Sequence, residues 1–513
     1  MNAAHYGIAI FGLISLLVVY RGLRRNNAIR ELNGPPSPSW LFGNMAQLML
    51  PPYGRYEFDW QKIYGPVYRF KGCFGQDRLM ISDPVALHYI LNSPQFKLGP
   101  VPENLVHLLY PKGSIMSVDS EEDHKRIRAV LGVGFTAAAI RNYIPIFERA
   151  AQMISEQLED SSVVPTNIAP ILNHATLGTT SEATLGYSVD DLGEEFVSNN
   201  IEILTLASTQ SAAHILGEAI GSQLPTFLWR AAEYLPTATC KVIRRAKYLA
   251  DELGIRVVQG KRSGARQGLE IDTDLFGKLL QQHDSTSAKH SMTEKEIVAQ
   301  TGMMILAGQE TTSTTLSFAL IELAKAPELQ EKLRAEIHAT MGSARASSGA
   351  YNNMPLLNAF IKEVLRMYPA EAIGERLAVE DAVIPLGDGS ISHLPVRKGQ
   401  IVNLGFACYQ RLESRWGKDA DKFRPSRWLD GGVFKGEAIG PYANLLSFLG
   451  GPRTCLGWRF AILEMQVILC ELVGKFSFGL PVEGAPRTRF AGTLQPIMPN
   501  GQKGAPILIR RLM

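Results

Sequence analysis

Phe448-Leu449-Gly450-Gly451-Pro452-Arg453-Thr454-Cys455-Leu456-Gly457 decides how this chain folds. Directly behind it, WRFAILEMQVILCELV (Trp458–Val473) spaces its apolar residues helically, which places Cys455 at a helix start. Backbone N–H groups point outward at such a start and the helix dipole favours negative charge, so a thiolate is stabilised there. The glycines and Pro452 make a tight loop that lets the backbone pass close beneath a flat ligand. A lone cysteine after a glycine turn reads equally well as a buried structural residue. The two readings are separated by how complete the surrounding pattern is.

That pattern, F-x-x-G-x-R-x-C-x-G from Phe448 to Gly457, is complete, and in it the chain resembles the cytochromes P450. The resemblance implies haem b (iron protoporphyrin IX), with Cys455 as the axial metal ligand and Arg453 paired with a haem propionate. A thiolate on haem iron pushes electron density onto the metal and favours O–O cleavage. The implied fold is mostly α with small β-sheets. It is a single haem-containing body over residues 32–513, behind an N-terminal membrane anchor over residues 1–31. Length alone, at 513 residues, would suggest about three domains. The resemblance overrules that, because residues from His124 to Cys455 must converge on one haem.

Other elements that resemble the family stand upstream in order. Glu363-Val364-Leu365-Arg366 matches E-x-x-R on a helix ended by Pro369, and residues three apart share a helix face. Alone it would be a surface ion pair of little value. Phe423-Arg424-Pro425-Ser426-Arg427-Trp428 resembles the segment whose second arginine, here Arg427, completes a buried trio that is structural rather than chemical. Ala307-Gly308-Gln309-Glu310-Thr311-Thr312 matches the oxygen-activation sequence. Gly308 costs a helix about 1 kcal/mol, and its small size is expected to leave room for O₂ and substrate. Thr311 can bond back to the carbonyl of Ala307 and loosen the helix, and Glu310 beside the cleft can supply protons. Without the cysteine pattern, this stretch would read as a threonine-rich packing face.

Haem propionates also need cations. His124-Lys125-Arg126-Ile127-Arg128 fits the family's W-x-x-x-R, with Arg128 in the arginine place and His124 where many members carry tryptophan. The histidine ring can still donate a hydrogen bond, and the departure is common in fungal-type sequences of the family. Arg376, in a strand-like stretch after Pro369, resembles a further propionate contact. A solvated helix face and a plain strand arginine are the ordinary alternatives.

The net charge of +3 is small for this length and gives no support for nucleic-acid binding. Five cysteines (Cys73, Cys240, Cys408, Cys455 and Cys470) form no C-x-x-C pair, which argues against a disulfide framework and a zinc site. From Gly7 to Tyr20 the chain reads GIAIFGLISLLVVY, followed by Arg21, Arg24, Arg25 and Arg30. Arginines after the apolar run argue for an uncleaved single-pass anchor with the body in the cytosol. A cleaved signal and an interfacial segment are the alternatives. Asn33-Gly34-Pro35-Pro36-Ser37-Pro38 reads as a stiff hinge behind it. Strand-like runs lie near Val67–Ile81 and Val379–Leu404, and polar connections at Gly260–Glu270, Gln281–Met292 and Gly342–Asn353. Thr293-Glu294-Lys295-Glu296 is a capping box, from which one helix of about 50 Å is expected to run to Ala326.

The family's substrate pocket would be lined by the loop Val101–Val118, the helix stretch Met303–Ala307, Ala370–Gly374 and the loop Phe490–Leu494, most of them apolar. This suits a lipophilic small molecule. Glu371 is the exception: it either faces water or orients a substrate hydroxyl or amine. No dinucleotide or flavin fingerprint is present, so the resemblance implies electrons from NADPH through NADPH–cytochrome P450 reductase, with cytochrome b5 as a further donor, at the endoplasmic reticulum membrane. The expected activity is a monooxygenase that hydroxylates or epoxidises a lipophilic compound, such as a terpenoid in fungal secondary metabolism or a xenobiotic. A haem-thiolate isomerase or dehydratase independent of O₂, and a non-catalytic haem-binding protein, are the competing readings. The Glu310-Thr311 pair argues for the first.

Overall fold

The structure is a computed structural model. It describes residue 12 and residues 27–512, apart from 119, 160–164, 225–233, 267–272, 286–290, 344–348, 388–390 and 434–437. Apart from residues 12 and 27–31, the expected anchor lies outside the described residues, and among the described residues no helix is long and apolar enough to cross a membrane.

Helices carry most of the described chain, with small sheets attached. Those that build the site are α1 (Pro84–Asn92), α2 (Pro100–Leu109), α3 (Glu121–Leu131), α4 (Ile168–Leu185), α5 (Glu294–Val298), α6 (Thr301–Lys325), α7 (Pro355–Met367) and α8 (Trp458–Lys475). The strands are β1 (Val67–Lys71), β2 (Asp77–Ile81), β3 (Phe96–Leu98), β4 (Thr166–Asn167), β5 (Ile373–Ala378), β6 (Ala382–Pro385), β7 (His393–Val396), β8 (Ile401–Gly405), β9 (Phe476–Gly479), β10 (Arg487–Ala491), β11 (Thr493–Ile497) and β12 (Pro506–Arg511). One sheet runs β1-β2-β8-β5-β3, antiparallel except where β2 meets β8. In its register Arg376 of β5 stands between Val402 and Leu98. The pairs β10-β11 and β6-β7 are hairpins, and β4-β12-β9 form a third small sheet. The main apolar cluster takes residues from Ile29 to Ile509, so sequence-distant segments pack together, and a second cluster gathers residues of α3, α5 and the start of α6.

The capping box forms as expected, with Thr293 N–H on Glu296 Oε2 at 2.8 Å and the reciprocal bond at 3.2 Å. The long helix behind it does not run unbroken. It splits at Ala299–Gln300 into α5 and α6. The Gln300 side chain takes the Glu296 carbonyl at 2.7 Å, while its own N–H tightens onto Ile297 O at 3.0 Å. A side chain has replaced one rung of the backbone ladder, which is a recognised cause of a helix break.

Other expectations need correction. Val101–Leu109 is not loop but most of α2, with Pro100 at its first turn. The polar stretch from Gly260 continues a helix over Ala238–Arg266, and Gln281–Ser285 ends another, because charged residues at helical spacing suit a solvated helix face. The proline hinge is docked: Arg69 N–H donates to Asn33 O at 3.1 Å, and a Cβ on Gly34 would stand 1.7 Å from Arg69 O. Edge strand β1 offers the hinge a free ladder position, and only glycine fits that close.

Gly308 also has a different purpose from the expected one. A Cβ there would lie 2.5 Å from Thr180 Oγ1, so the missing side chain lets α6 approach α4. The contact is tied by Thr176 Oγ1, which donates to Gln309 O at 2.9 Å.

Candidate functional site

The cysteine loop is shaped by backbone geometry. Leu449 and Gly451 both take positive φ, at 59° and 67°. A Cβ on Gly450 would stand 2.4 Å from Ile439 O, and one on Gly451 2.4 Å from Leu91 O of α1. The glycines therefore admit neighbouring backbone to the loop. Cys455 N–H closes the turn onto Phe448 O at 2.9 Å. α8 begins only at Trp458, so Cys455 precedes the helix instead of starting it.

Cys455 is surrounded by protein, yet its surface remains accessible. Open surface on a residue surrounded by protein is the arrangement of a residue that lines an internal cavity. Burial pushes the thiol above its ordinary range, against the pull of the Gly457 N–H and the charge of Arg128. The expected thiolate is thus not supplied by the protein alone, and a metal ion would be the further charge that favours it.

Four cationic or donor side chains surround the same cavity. His124 is buried on α3, and burial, with Arg453 and Arg128 nearby, lowers its pKa to about 4, so the ring is neutral. Burial also lowers the pKa of Arg128, Arg376 and Arg453; Arg453 is lowered further by Arg376 and Arg128. All four residues expected at the propionates are therefore brought together. Among the described residues no side-chain hydrogen bond or ion pair reaches His124, Arg128 or Arg453. Arg376 has one, to the carbonyl of Glu375 at 3.0 Å. Three guanidinium groups close to one another, none in a side-chain ion pair among the described residues, call for an anionic ligand. A dianionic porphyrin ligand with a metal over a cysteine fits this donor set.

Behind the loop, Glu363, Arg366 and Arg427 are all fully buried. Arg366 grips Glu363 through two bonds of 2.9 and 2.8 Å, and Arg427 Nε donates at 2.9 Å. Trp428 Nε1 and the Arg424 N–H complete the carboxylate at 2.9 and 2.8 Å. Burial pushes Glu363 up, but Arg366, the Arg424 N–H and Arg427 outweigh it and hold it below the usual range. Arg366 also donates to Gln410 O and Ala420 O, and Arg427 to Trp416 O and Asp419 O. The trio thus ties α7 to the segment ahead of the cysteine loop.

On the other side of the cavity, Thr311 Oγ1 donates to Ala307 O at 2.8 Å, as expected from their spacing. Ala307 is exposed and Thr311 half-buried, so this face of α6 is left open by the elements packed around it. Glu310 is buried and turned to the C-terminal hairpin. Its Oε1 accepts from Lys503 Nζ at 2.9 Å and Gln495 Nε2 at 3.0 Å. Burial and the charge of Glu310 push the Tyr110 phenol up to about 12. The sequence gives no sign of Lys503, which lies 193 residues from its partner. Nor does it single out Glu464, which is fully buried on α8 beside Thr179 and Thr312, with a pKa pushed to about 8 by burial.

The family model for cytochrome P450 matches residues 33–502. Cytochrome P450 monooxygenase claQ of Ampulloclitocybe clavipes is 31% identical over 529 residues, covering 98% of this chain and 96% of its own. Cytochrome P450 monooxygenase claO of the same fungus is 30% identical, with 98% and 96% covered. Cytochrome P450 monooxygenase 219 of Postia placenta is 28% identical, with 93% of each chain covered.

Proposed function

Because this chain belongs to the cytochrome P450 family, we propose that it is a haem-thiolate monooxygenase. In this reading it draws electrons from NADPH through NADPH–cytochrome P450 reductase and oxidises a lipophilic small molecule of fungal secondary metabolism. Residues 1–31 are the anchor, and residues 32–513 the haem body on the cytosolic face of the endoplasmic reticulum. The observation that supports the reading is the clustering of Arg128, Arg376 and Arg453 with His124 and Cys455.

Cys455 would hold the iron, and the three arginines and His124 would hold the propionates. Bound there, haem supplies the oxygen-activating chemistry. The protein contributes position and protons. Thr311, with its hydroxyl bonded back to Ala307, loosens α6 at the cavity, and a hydroxyl at that place can pass a proton through Oγ1. Glu310 is the adjacent acid, and its ties to Lys503 and Gln495 set the direction in which its carboxylate points. The Glu363–Arg366–Arg427 trio acts on haem retention through the loop it braces.

The test is the absorption spectrum of the reduced, CO-bound protein, followed by NADPH consumption with reductase present. A thiolate-type spectrum with substrate-linked NADPH use supports the reading. The same spectrum with no such use across a substrate screen favours O₂-independent rearrangement.

A further inference from the structure

Glu371 has no part in the chemistry described so far. It lies between α7 and β5, on a segment pinned from two sides. Leu494 N–H donates to Ala370 O at 2.8 Å, and Ala407 N–H to Ala372 O at 3.1 Å. The carboxylate lies over Gly374, where a Cβ would stand 3.4 Å from Glu371 Oε1 and 2.8 Å from the Phe406 ring. A side chain at 374 would therefore crowd the Phe406 ring and touch the Glu371 carboxylate.

Glu371 is walled in by protein and still keeps open surface, so it faces the interior and not outer water. Among the described residues no hydrogen bond or ion pair reaches its carboxylate. Burial pushes its pKa up, and Arg376 is the one charge that pulls it back. In the reading above, Arg376 is taken by a propionate. That leaves Glu371 without a charged partner, near the Phe406 ring and between the apolar chain neighbours Ala370 and Ala372. An unpaired carboxylate in an apolar enclosure is costly unless a ligand completes it.

We propose that Glu371 is the polar anchor of the substrate pocket, and that the molecule oxidised here carries a hydrogen-bond donor, hydroxyl or ammonium, on an otherwise apolar frame. This rests on the monooxygenase reading. A site built to bond a donor rejects the analogue that lacks it far more strongly than an apolar pocket does.

The experiment uses the holoenzyme as wild type, Glu371→Leu and Glu371→Gln. Equilibrium dialysis measures binding of 1-dodecanol, its methyl ether and N,N-dimethyldodecylamine. The expected result is that the alcohol, the amine or both bind about tenfold or more tighter than the ether. Glu371→Leu should abolish the difference, and Glu371→Gln should keep part of the alcohol's advantage and none of the amine's. A preference for the alcohol alone identifies a hydroxyl, and for the amine alone an ammonium. Equal binding of the ether, no binding of either donor, or a preference that survives Glu371→Leu overturns the proposal. The reduced, CO-bound spectrum is recorded on the same samples. A thiolate signature with no donor preference removes the anchor alone, and a wild type without that signature removes the monooxygenase reading beneath it.

Discussion

Replacing Glu363 by alanine is the most severe perturbation that leaves every group proposed to contact haem in place. Glu363 Oε1 receives Arg366, Arg427 and the Arg424 N–H, and Oε2 receives Arg366 and Trp428. Both arginines are fully buried, and the substitution takes from Arg366 its one ion-pair partner among the described residues, while Arg427 keeps Asp419 Oδ1 at 3.0 Å. Breaking a buried pair from one side costs about 3–5 kcal/mol, and Arg366 is the cation left unpaired here. Domains are stable by about 5–15 kcal/mol, and the loss is therefore a large part of the whole. The remaining bonds to carbonyls hold Arg366 in position but do not neutralise it, whereas Arg427 still has the Asp419 carboxylate. The assay is haem content of the purified variant together with the urea midpoint for loss of the CO-bound spectrum. Glu363→Ala should recover little haem and unfold at much lower urea. A variant that keeps full haem occupancy with a stability loss below about 1 kcal/mol would refute the reasoning, since only an exposed pair is that weak. Because the folded Glu363 titrates below 4.5, its contribution is present above that pH and fades as acid protonates the folded carboxyl, so the variant's deficit should shrink in acid.

Gly308→Ala should destabilise by about 1–3 kcal/mol through overpacking against Thr180, read from the urea midpoint; Gly308→Ala with Thr180→Ser should recover part of it by removing the crowding methyl. Glu464 has a folded pKa raised from 4.5 to about 8, so wild-type stability should decline as pH rises from 4.5 to about 8, and Glu464→Gln should abolish that decline. Urea midpoints at pH 5 and pH 8 give the comparison, and an equal pH slope in both proteins would contradict it. Thr311→Ala should keep the haem spectrum and raise hydrogen peroxide released per NADPH, and unchanged coupling would remove Thr311 from proton delivery.

The parts of the site legible in the sequence are those whose chemistry is local. Cys455 and Arg453 stand in one loop, Thr311 reaches Ala307 within a helical turn, and Glu363 meets Arg366 one turn on. Arg427 was legible only through resemblance, since nothing in its spacing ties it to Glu363. The Lys503–Glu310 contact was not legible at all, because tertiary packing alone brings the turn after β11 to α6. Helix limits were misjudged where a side chain outcompeted the backbone, as Gln300 does at the Glu296 carbonyl. Gly308 was misread because sequence shows that a small residue is needed without showing which neighbour needs the space.

The most direct test of the account is Cys455→Ser, compared with wild type by haem stoichiometry and by the reduced, CO-bound spectrum. Serine keeps the size and the loop geometry and removes only the sulfur. The expected result is loss of the thiolate-type band, with haem depleted or bound in a different ligation. A serine variant with full haem and an unaltered band would contradict the assignment of Cys455 and everything built upon it.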